Sequence, residues 1–214
     1  MADGADGGAF MKITIMIEGK TEIAIKPYLR DFLRHRLSGR MPSLDFFPYH
    51  GRIPTANKLK RVVENLYKGR NPADHVIALT DVYTGTHPPE FLDAADAKSK
   101  MRQWVGDEPR FHPHAAQHDF EAWLLPYWPK IQKLAGHNKT APSGNPEKVN
   151  HGNPPAHRLI EIFRIGTCNH GYVKTRDAGN ILHGNNLLMA INQCPELKAF
   201  INTILHVCGC ELIL

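Results

Sequence analysis

Residues 12–22 read Lys-Ile-Thr-Ile-Met-Ile-Glu-Gly-Lys-Thr-Glu, and this stretch decides the fold. The run from 12 to 17 alternates and then becomes continuously apolar, which predicts a strand, and Gly19 interrupts it. Thr21 is a good N-cap for a helix that continues to about Leu37. The stretch therefore predicts a strand, an acidic turn and a helix in immediate succession.

The same alternation continues along the chain. Strands are predicted at residues 12–17, 43–49, 74–79 and 111–116. Helices are predicted at residues 21–37, 55–67 and 91–105 and from about 119 onward. Pro27 should kink the first helix or delay its start. Alternating strands and helices predict an α/β fold, with a mostly parallel sheet flanked by helices on both faces.

Composition divides the chain into three parts. Residues 1–10 are rich in Gly, Ala and Asp and predict a disordered leader. From residue 139 to 155 Pro, Gly and Asn replace most apolar residues, which predicts a long loop. Helices are predicted beyond it at 156–163, 179–191 and 195–207. We therefore expect an α/β domain at 11–138, with a loop and helical C-terminal extension at 139–214 packed on it.

The net charge of the 214-residue chain is +5, which favours an anionic partner such as nucleic acid. Its basic residues concentrate on the first two predicted helices, where they form either solvated faces or a phosphate-tracking surface. The four cysteines have no paired CxxC spacing, so we expect reduced thiols in a cytoplasmic protein. No apolar run approaches the roughly 18 residues of a membrane span, and no Walker loop or GxSxG motif is present.

Three carboxylates are predicted to meet at the carboxyl edge of the sheet. Glu18 follows the first strand, Asp81 follows the third, and Glu121 heads the helix after the fourth. Open parallel sheets bind ligands at these strand ends, and Mg²⁺ (or Mn²⁺) needs only two or three carboxylates there. The sequence therefore predicts that these three acids are catalytic and bind one metal ion. As an alternative, Glu18 complements a helix dipole and Asp81 forms a turn.

Basic and histidine side chains complete the predicted site. Lys20, at the start of the first helix, is a candidate catalytic cation beside a helix N-terminus. Lys148 and Lys174 are candidates for gripping phosphates. His118 is one helical turn from Glu121, so both are expected to face the cleft and His118 to contact substrate. A zinc site is the open alternative here, and it would recruit His112 or His114.

These motifs resemble the ordered motifs of a known protein family. The segments Ile17 to Glu22 and Asp81-Val82-Tyr83 resemble the two acidic motifs of the Toprim fold, which topoisomerases, primases and OLD-type nucleases share. The ordered set is similar to a Toprim-like family of uncharacterised bacterial proteins, often encoded beside ATPases in defence or mobile-element loci. Its further motifs stand here as Asp81 to Gly85, His118 to Leu124, Pro146 to Lys148, Tyr172 to Lys174 and Cys194-Pro195.

The resemblance implies a Mg²⁺-dependent nuclease that cleaves phosphodiesters with an ATPase partner, with DNA favoured over RNA as substrate. Two residues depart from the pattern. Tyr83 stands where Toprim enzymes carry a second Asp, which removes one expected metal ligand, and Asp119 replaces a Glu. The departures favour a second expectation, a non-catalytic subunit that binds nucleic acid or docks on the ATPase.

Overall fold

Four parallel strands form one sheet in the order β2-β1-β3-β4. The computed structural model describes residues 10–19, 21–83, 87–149, 153–168 and 170–214. Its strands are β1 (Lys12–Ile17), β2 (Ser43–Pro48), β3 (His75–Asp81) and β4 (Phe111–Ala116). Every pairing in the sheet is parallel, so the predicted α/β class with a parallel sheet is confirmed.

Eight α-helices are found in the described part of the chain. They are α1 (Lys26–Arg36), α2 (Ala56–Lys68), α3 (Ala94–Val105), α4 (Trp128–Ala135), α5 (Pro155–Ile165), α6 (Lys174–Leu182), α7 (Leu187–Gln193) and α8 (Pro195–Val207). Three short 3₁₀ helices accompany them, Glu22–Ile25, Phe120–Tyr127 and Pro146–Lys148.

Two helix predictions needed correction. Pro27 lies in the first turn of α1, and the chain forms a 3₁₀ turn before it, so the α-helix begins only at Lys26. The single helix predicted at 179–191 is wrong. Gly184 adopts a left-handed φ of 75°, which ends one helix, and the Asn186 side chain accepts a hydrogen bond from the Leu188 amide to begin the next.

β1 is apolar on both faces because helices cover both sides of the sheet. Ile15 and its alternate neighbours pack on α1 and the C-terminal helices, whereas Met16 packs on α2 and α3. The fully covered central strand explains the continuous apolar run. The segment after residue 138 joins the first of these layers, since Leu159 and Phe200 belong to the same core as Ile15.

The edges of the sheet are distinct from its centre. β4 contains Pro113, which lacks a backbone donor and is tolerated because β4 is an edge strand.

The basic residues of α1 and α2 are exposed, but the two helices pack on opposite faces of the sheet and so do not form one surface. Across the described ranges, no helix combines the length and the apolarity that crossing a bilayer requires.

Candidate metal centre and active site

The carboxyl ends of β1 and β3 form the natural ligand position of this sheet. The two strands are neighbours, and β1 is followed in sequence by β2 on one side while β3 is followed by β4 on the other. Open α/β sheets bind ligands at such a switch point. Glu18 follows β1 directly and Asp81 is the last residue of β3, so both carboxylates are delivered there.

Glu18 is held against the end of β3. Its Oε1 accepts a hydrogen bond from the Thr80 hydroxyl, and its backbone carbonyl accepts one from the Gly51 amide at 2.8 Å. Burial raises the pKa of Glu18 to about 7, and the negative charge of Glu22 adds to this, although the Thr80 hydrogen bond opposes it. Glu18 is therefore poised to gain or lose a proton near neutral pH.

Asp81 lies among four other carboxylates. Burial raises its pKa well above the ordinary value, and the nearby Glu18, Glu22, Asp119 and Glu121 raise it further. Like charges this close cannot all remain ionised without a compensating cation. Asp81 thus marks a position where a bound cation would be stabilising.

Glu121 occupies the opposite wall and is only 1% exposed. Its Oε1 lies 3.2 Å from the Lys174 Nζ and accepts a hydrogen bond from the Tyr172 hydroxyl at 3.4 Å. The Asp177 carboxylate accepts a hydrogen bond from the Val173 amide at 2.7 Å, which fixes the start of α6. That local cap holds Lys174 in position over Glu121.

Asp119 joins the site to α5. Its Oδ2 accepts a hydrogen bond from the Ala156 amide in the first turn of α5 at 3.1 Å, while its buried Oδ1 has no hydrogen-bond partner among the described residues. Burial raises the pKa of Asp119 to about 7, and Glu121 contributes in the same direction. Although Asp119 immediately precedes the 3₁₀ helix Phe120–Tyr127, its side chain does not cap that helix and caps α5 instead.

These side chains surround a cleft of about 240 Å³. Its charged lining residues are Glu18, Glu22, Arg52, Asp81, Glu121 and Lys174. Four carboxylates thus face two cations, and Arg52 also pairs with Glu90 outside this set. Burial raises the pKa of Glu22 as well, so the cleft carries more carboxylate than its own cations neutralise.

The donor set fits a hard divalent cation. The candidate ligands are carboxylate oxygens, which Mg²⁺ and Mn²⁺ prefer, and the cleft is lined by more carboxylates than cations. Among the described residues, no three His, Cys, Asp or Glu side chains form a ready-made ligand cluster. Mg²⁺ commonly uses one or two carboxylates and keeps waters, so Glu18 and Asp81 with water would be sufficient.

The zinc alternative finds no matching ligand set in the described part of the chain. His112 Nε2 lies 3.1 Å from His75 Nδ1, and His114 Nε2 lies 2.9 Å from the Thr203 hydroxyl. Burial lowers the pKa of His112 to about 4 and that of His114 to about 3. Both rings are structural and neutral.

The remaining predicted residues divide between two places. Lys174 lines the cleft, but His118 and Lys148 line a second depression of about 440 Å³ beside Pro195. The expectation that His118 and Glu121 face the same cleft is therefore wrong, because residue 118 has a left-handed φ of 72° that precedes the 3₁₀ helix. Lys20 lies outside the described residues.

Sequence reasoning assigned no site role to several residues of the cleft. Glu22 lines the cleft, and the signal that could have found it is its position four residues after Glu18 in the same acidic turn. Arg52 is brought in by the loop after β2, which the hydrogen bond between Gly51 and Glu18 ties down. Nothing local in the sequence marks Arg52, since its role depends on the folding of that loop.

Comparison with known proteins places these observations in context. Residues 17–205 match the family described as "Domain of unknown function (DUF4276)". No curated protein matches the chain. The C-terminal region of the Burkholderia pseudomallei OLD protein has a similar fold, with a TM-score of 0.53 and 15% identity, over 94% of this chain and 100% of that one. The C-terminal region of the Xanthomonas campestris pv. campestris OLD protein aligns with a TM-score of 0.42 and 17% identity, over 92% and 98%.

Proposed function

The chain belongs to the DUF4276 family, and we propose that it is a Mg²⁺- or Mn²⁺-dependent nuclease that hydrolyses nucleic-acid phosphodiesters. The observation that carries the proposal is the excess of carboxylates over cations in the cleft at the carboxyl ends of β1 and β3. Two further observations support the proposal. The chain has a fold similar to that of the OLD C-terminal region, and its acidic motifs resemble those of Toprim enzymes.

Each residue of the cleft has a role in this proposal. Glu18 and Asp81 would hold the cation, and Glu121 would complete the acidic wall. When bound, Mg²⁺ would polarise the phosphodiester and lower the pKa of a coordinated water. Glu18 would act either as a ligand of the cation or, if Asp81 and Glu121 hold the cation, as the general base that accepts a proton from the attacking water.

The cations of the cleft would act on the substrate. Lys174 and Arg52 line the same space, and each is held by a carboxylate, Glu121 and Glu90 respectively. Positively charged donors fixed in a partly dehydrated cleft stabilise the charge that develops on a phosphoryl group. The family that the sequence resembles is often encoded beside ATPases in defence or mobile-element loci, and we extend the proposal to action with an ATPase partner in such defence.

A non-catalytic role is the second candidate, and one observation favours it. No three-residue ligand cluster is preformed among the described residues, and Tyr83, where a second Asp is expected, is 55% exposed. In that case the chain would bind nucleic acid or an ATPase without cutting.

A paired metal-binding and cleavage experiment tests the proposal. Purified chain is titrated with Mg²⁺ and Mn²⁺ by calorimetry and incubated with plasmid, single-stranded DNA and RNA. We expect metal-dependent cleavage that falls at least about 100-fold in Glu18→Gln and in Asp81→Asn, because an amide supplies neither a proton acceptor nor a full negative charge.

Glu64→Gln is the matched control, since Glu64 is exposed on α2 away from the cleft. It should cleave and bind metal as the wild type does. Metal binding without cleavage of any of the three substrates would favour the non-catalytic candidate. Undiminished cleavage by Glu18→Gln would place the chemistry elsewhere.

A further inference from the structure

Two shallow depressions on the outer face of α5 run together into one groove. One has a volume of about 560 Å³ and the other about 420 Å³, and both are lined by Ile160 and Arg164. We call this surface the α5 groove and define it by Lys139, Arg158, Ile160, Arg164, His170 and Tyr172. It lies outside the cleft described above.

The α5 groove is positively charged. Its described lining carries three cations, Lys139, Arg158 and Arg164, against one carboxylate, Glu161, which already pairs with Lys139. Within the described part of the chain, the exposed guanidinium of Arg164 forms no hydrogen bond or ion pair, whereas Arg158 is half-buried and its Nε is closed off from solvent. Arg164 is therefore available to an anionic ligand, and Arg158 adds positive charge beside it.

Apolar and aromatic groups lie between the charges. Ile160 is 45% exposed, and the rings of His170 and Tyr172 both pack on Phe163 at centroid distances of 5.8 and 5.5 Å. The Arg176 guanidinium lies 2.6 Å from His170 Nδ1, which is also 3.1 Å from the Gly171 carbonyl oxygen. The groove thus combines cationic donors with flat rings.

The groove begins at the wall of the cleft. Tyr172 lines the groove, and its hydroxyl donates to Glu121, which lines the cleft. Asp119, beside the cleft, caps the start of α5. The cleft and the groove are therefore joined through Tyr172 and through α5 itself.

We propose that the α5 groove binds the single-stranded nucleic acid that extends from the cleft, with Arg164 on its phosphates and His170 and Tyr172 against its bases. This inference rests on the proposed function in one respect, because the strand extends from the cleft only if the cleft is where the nucleic acid is bound for cleavage. A groove that combines cationic donors with flat rings has the chemistry that binds single strands without sequence preference. A rigid duplex would meet the phosphates but could not place its bases on the rings.

The test measures binding of fluorescein-labelled oligo(dT) by fluorescence anisotropy in EDTA, which prevents cleavage. We expect Arg164→Gln to weaken binding of a 16-nucleotide strand by roughly threefold to tenfold and to reduce the log–log salt slope by about 0.7, the value for one lost phosphate contact on a single strand. Arg164→Lys should retain most of the affinity, because it keeps the charge.

Arg61→Gln, which removes an exposed arginine from α2 on the opposite face of the sheet, is the matched control and should change affinity less than twofold. Equal losses of affinity in Arg164→Gln and Arg61→Gln would overturn the proposed role of the groove. So would a loss of affinity in Arg164→Gln that is equal for the single strand and for a 16-base-pair duplex. The nuclease proposal fails on a different result. If the wild-type chain shows no metal-dependent cleavage but its binding of the single strand still depends on Arg164, the nuclease proposal is refuted and the groove is not.

Discussion

At the scale of single residues, the cleft is destabilised by its own carboxylates. The pKa of Glu18 is raised by burial to about 7, whereas in an unfolded chain it stays near 4.5. The folded state therefore binds more protons than the unfolded state between these pH values. The stability that Glu18 contributes by binding a proton is fully present below pH 4.5 and is lost as the pH rises to about 7. A salt-bridged carboxylate, whose pKa is lowered, behaves in the opposite way.

Glu18→Gln should consequently stabilise the metal-free chain at pH 8. We expect an increase of about 1 kcal/mol or more, which is roughly 2–4 °C in Tm for a chain of this size. At pH 4.5 the two proteins should melt at similar temperatures, because Glu18 is protonated there. The measurement is thermal unfolding in EDTA from pH 4.5 to 8, with Glu64→Gln as control, and a lower Tm of Glu18→Gln at pH 8 would contradict the argument.

At the scale of elements, helix α8 is capped by a residue from another part of the chain. The Glu147 carboxylate accepts hydrogen bonds from the Glu196 amide at 3.0 Å and the Leu197 amide at 3.3 Å, and from Trp123 Nε1 at 2.9 Å. The side chain of Cys194, the N-cap residue, makes no capping hydrogen bond. Glu147 thus supplies both the acceptors and the negative charge that a helix N-terminus requires.

Glu147→Gln should destabilise the fold by about 1–3 kcal/mol, because an amide group turned toward these donors leaves at least one of them unsatisfied. The adjacent Lys148→Ala is the matched control. Lys148 is exposed, so its removal should shift stability by about 0.5 kcal/mol or less. Chemical denaturation of both variants measures the difference, and equal losses would show that the cap contributes nothing.

At the scale of the whole molecule, the sheet and the C-terminal helices share one core. Phe200 of α8 stacks on Trp123 at a centroid distance of 6.1 Å and meets His114 of β4 edge-on at 5.7 Å. α6 contributes Ile181 to the same cluster as Ile15 of β1. Apolar contact of this extent couples the two parts energetically.

We therefore expect the full chain to unfold in a single cooperative transition. Far-UV circular dichroism, which reports all helices, and tryptophan fluorescence, which reports Trp123 and Trp128 in the shared core and Trp104 on the other face, should give coincident curves in urea. Two separated transitions would mean that residues 139–214 fold independently of the sheet.

Local patterns were sufficient for most of the elements. The strand at 111–116 and the helix at 195–207 have the bounds that periodicity and Pro195 indicated. The predictions failed where the backbone conformation of one residue determined the direction of the chain. This happened at Gly184, within the helix predicted at 179–191, and at His118. The direction of a chain at such a residue depends on its tertiary neighbours, and apolar periodicity does not record it.

Strand periodicity and strand ends are local properties, so the amino-acid pattern was enough to predict the parallel α/β class and the delivery of Glu18 and Asp81 to one edge of the sheet. Which other groups join them depends on the packing of distant segments. Lys174 reaches Glu121 because α6 packs on the 3₁₀ helices Glu22–Ile25 and Phe120–Tyr127, and Asp119 caps α5 and not its own helix. These contacts join residues far apart in the chain, where burial, charge and packing select the partner and no sequence spacing specifies it.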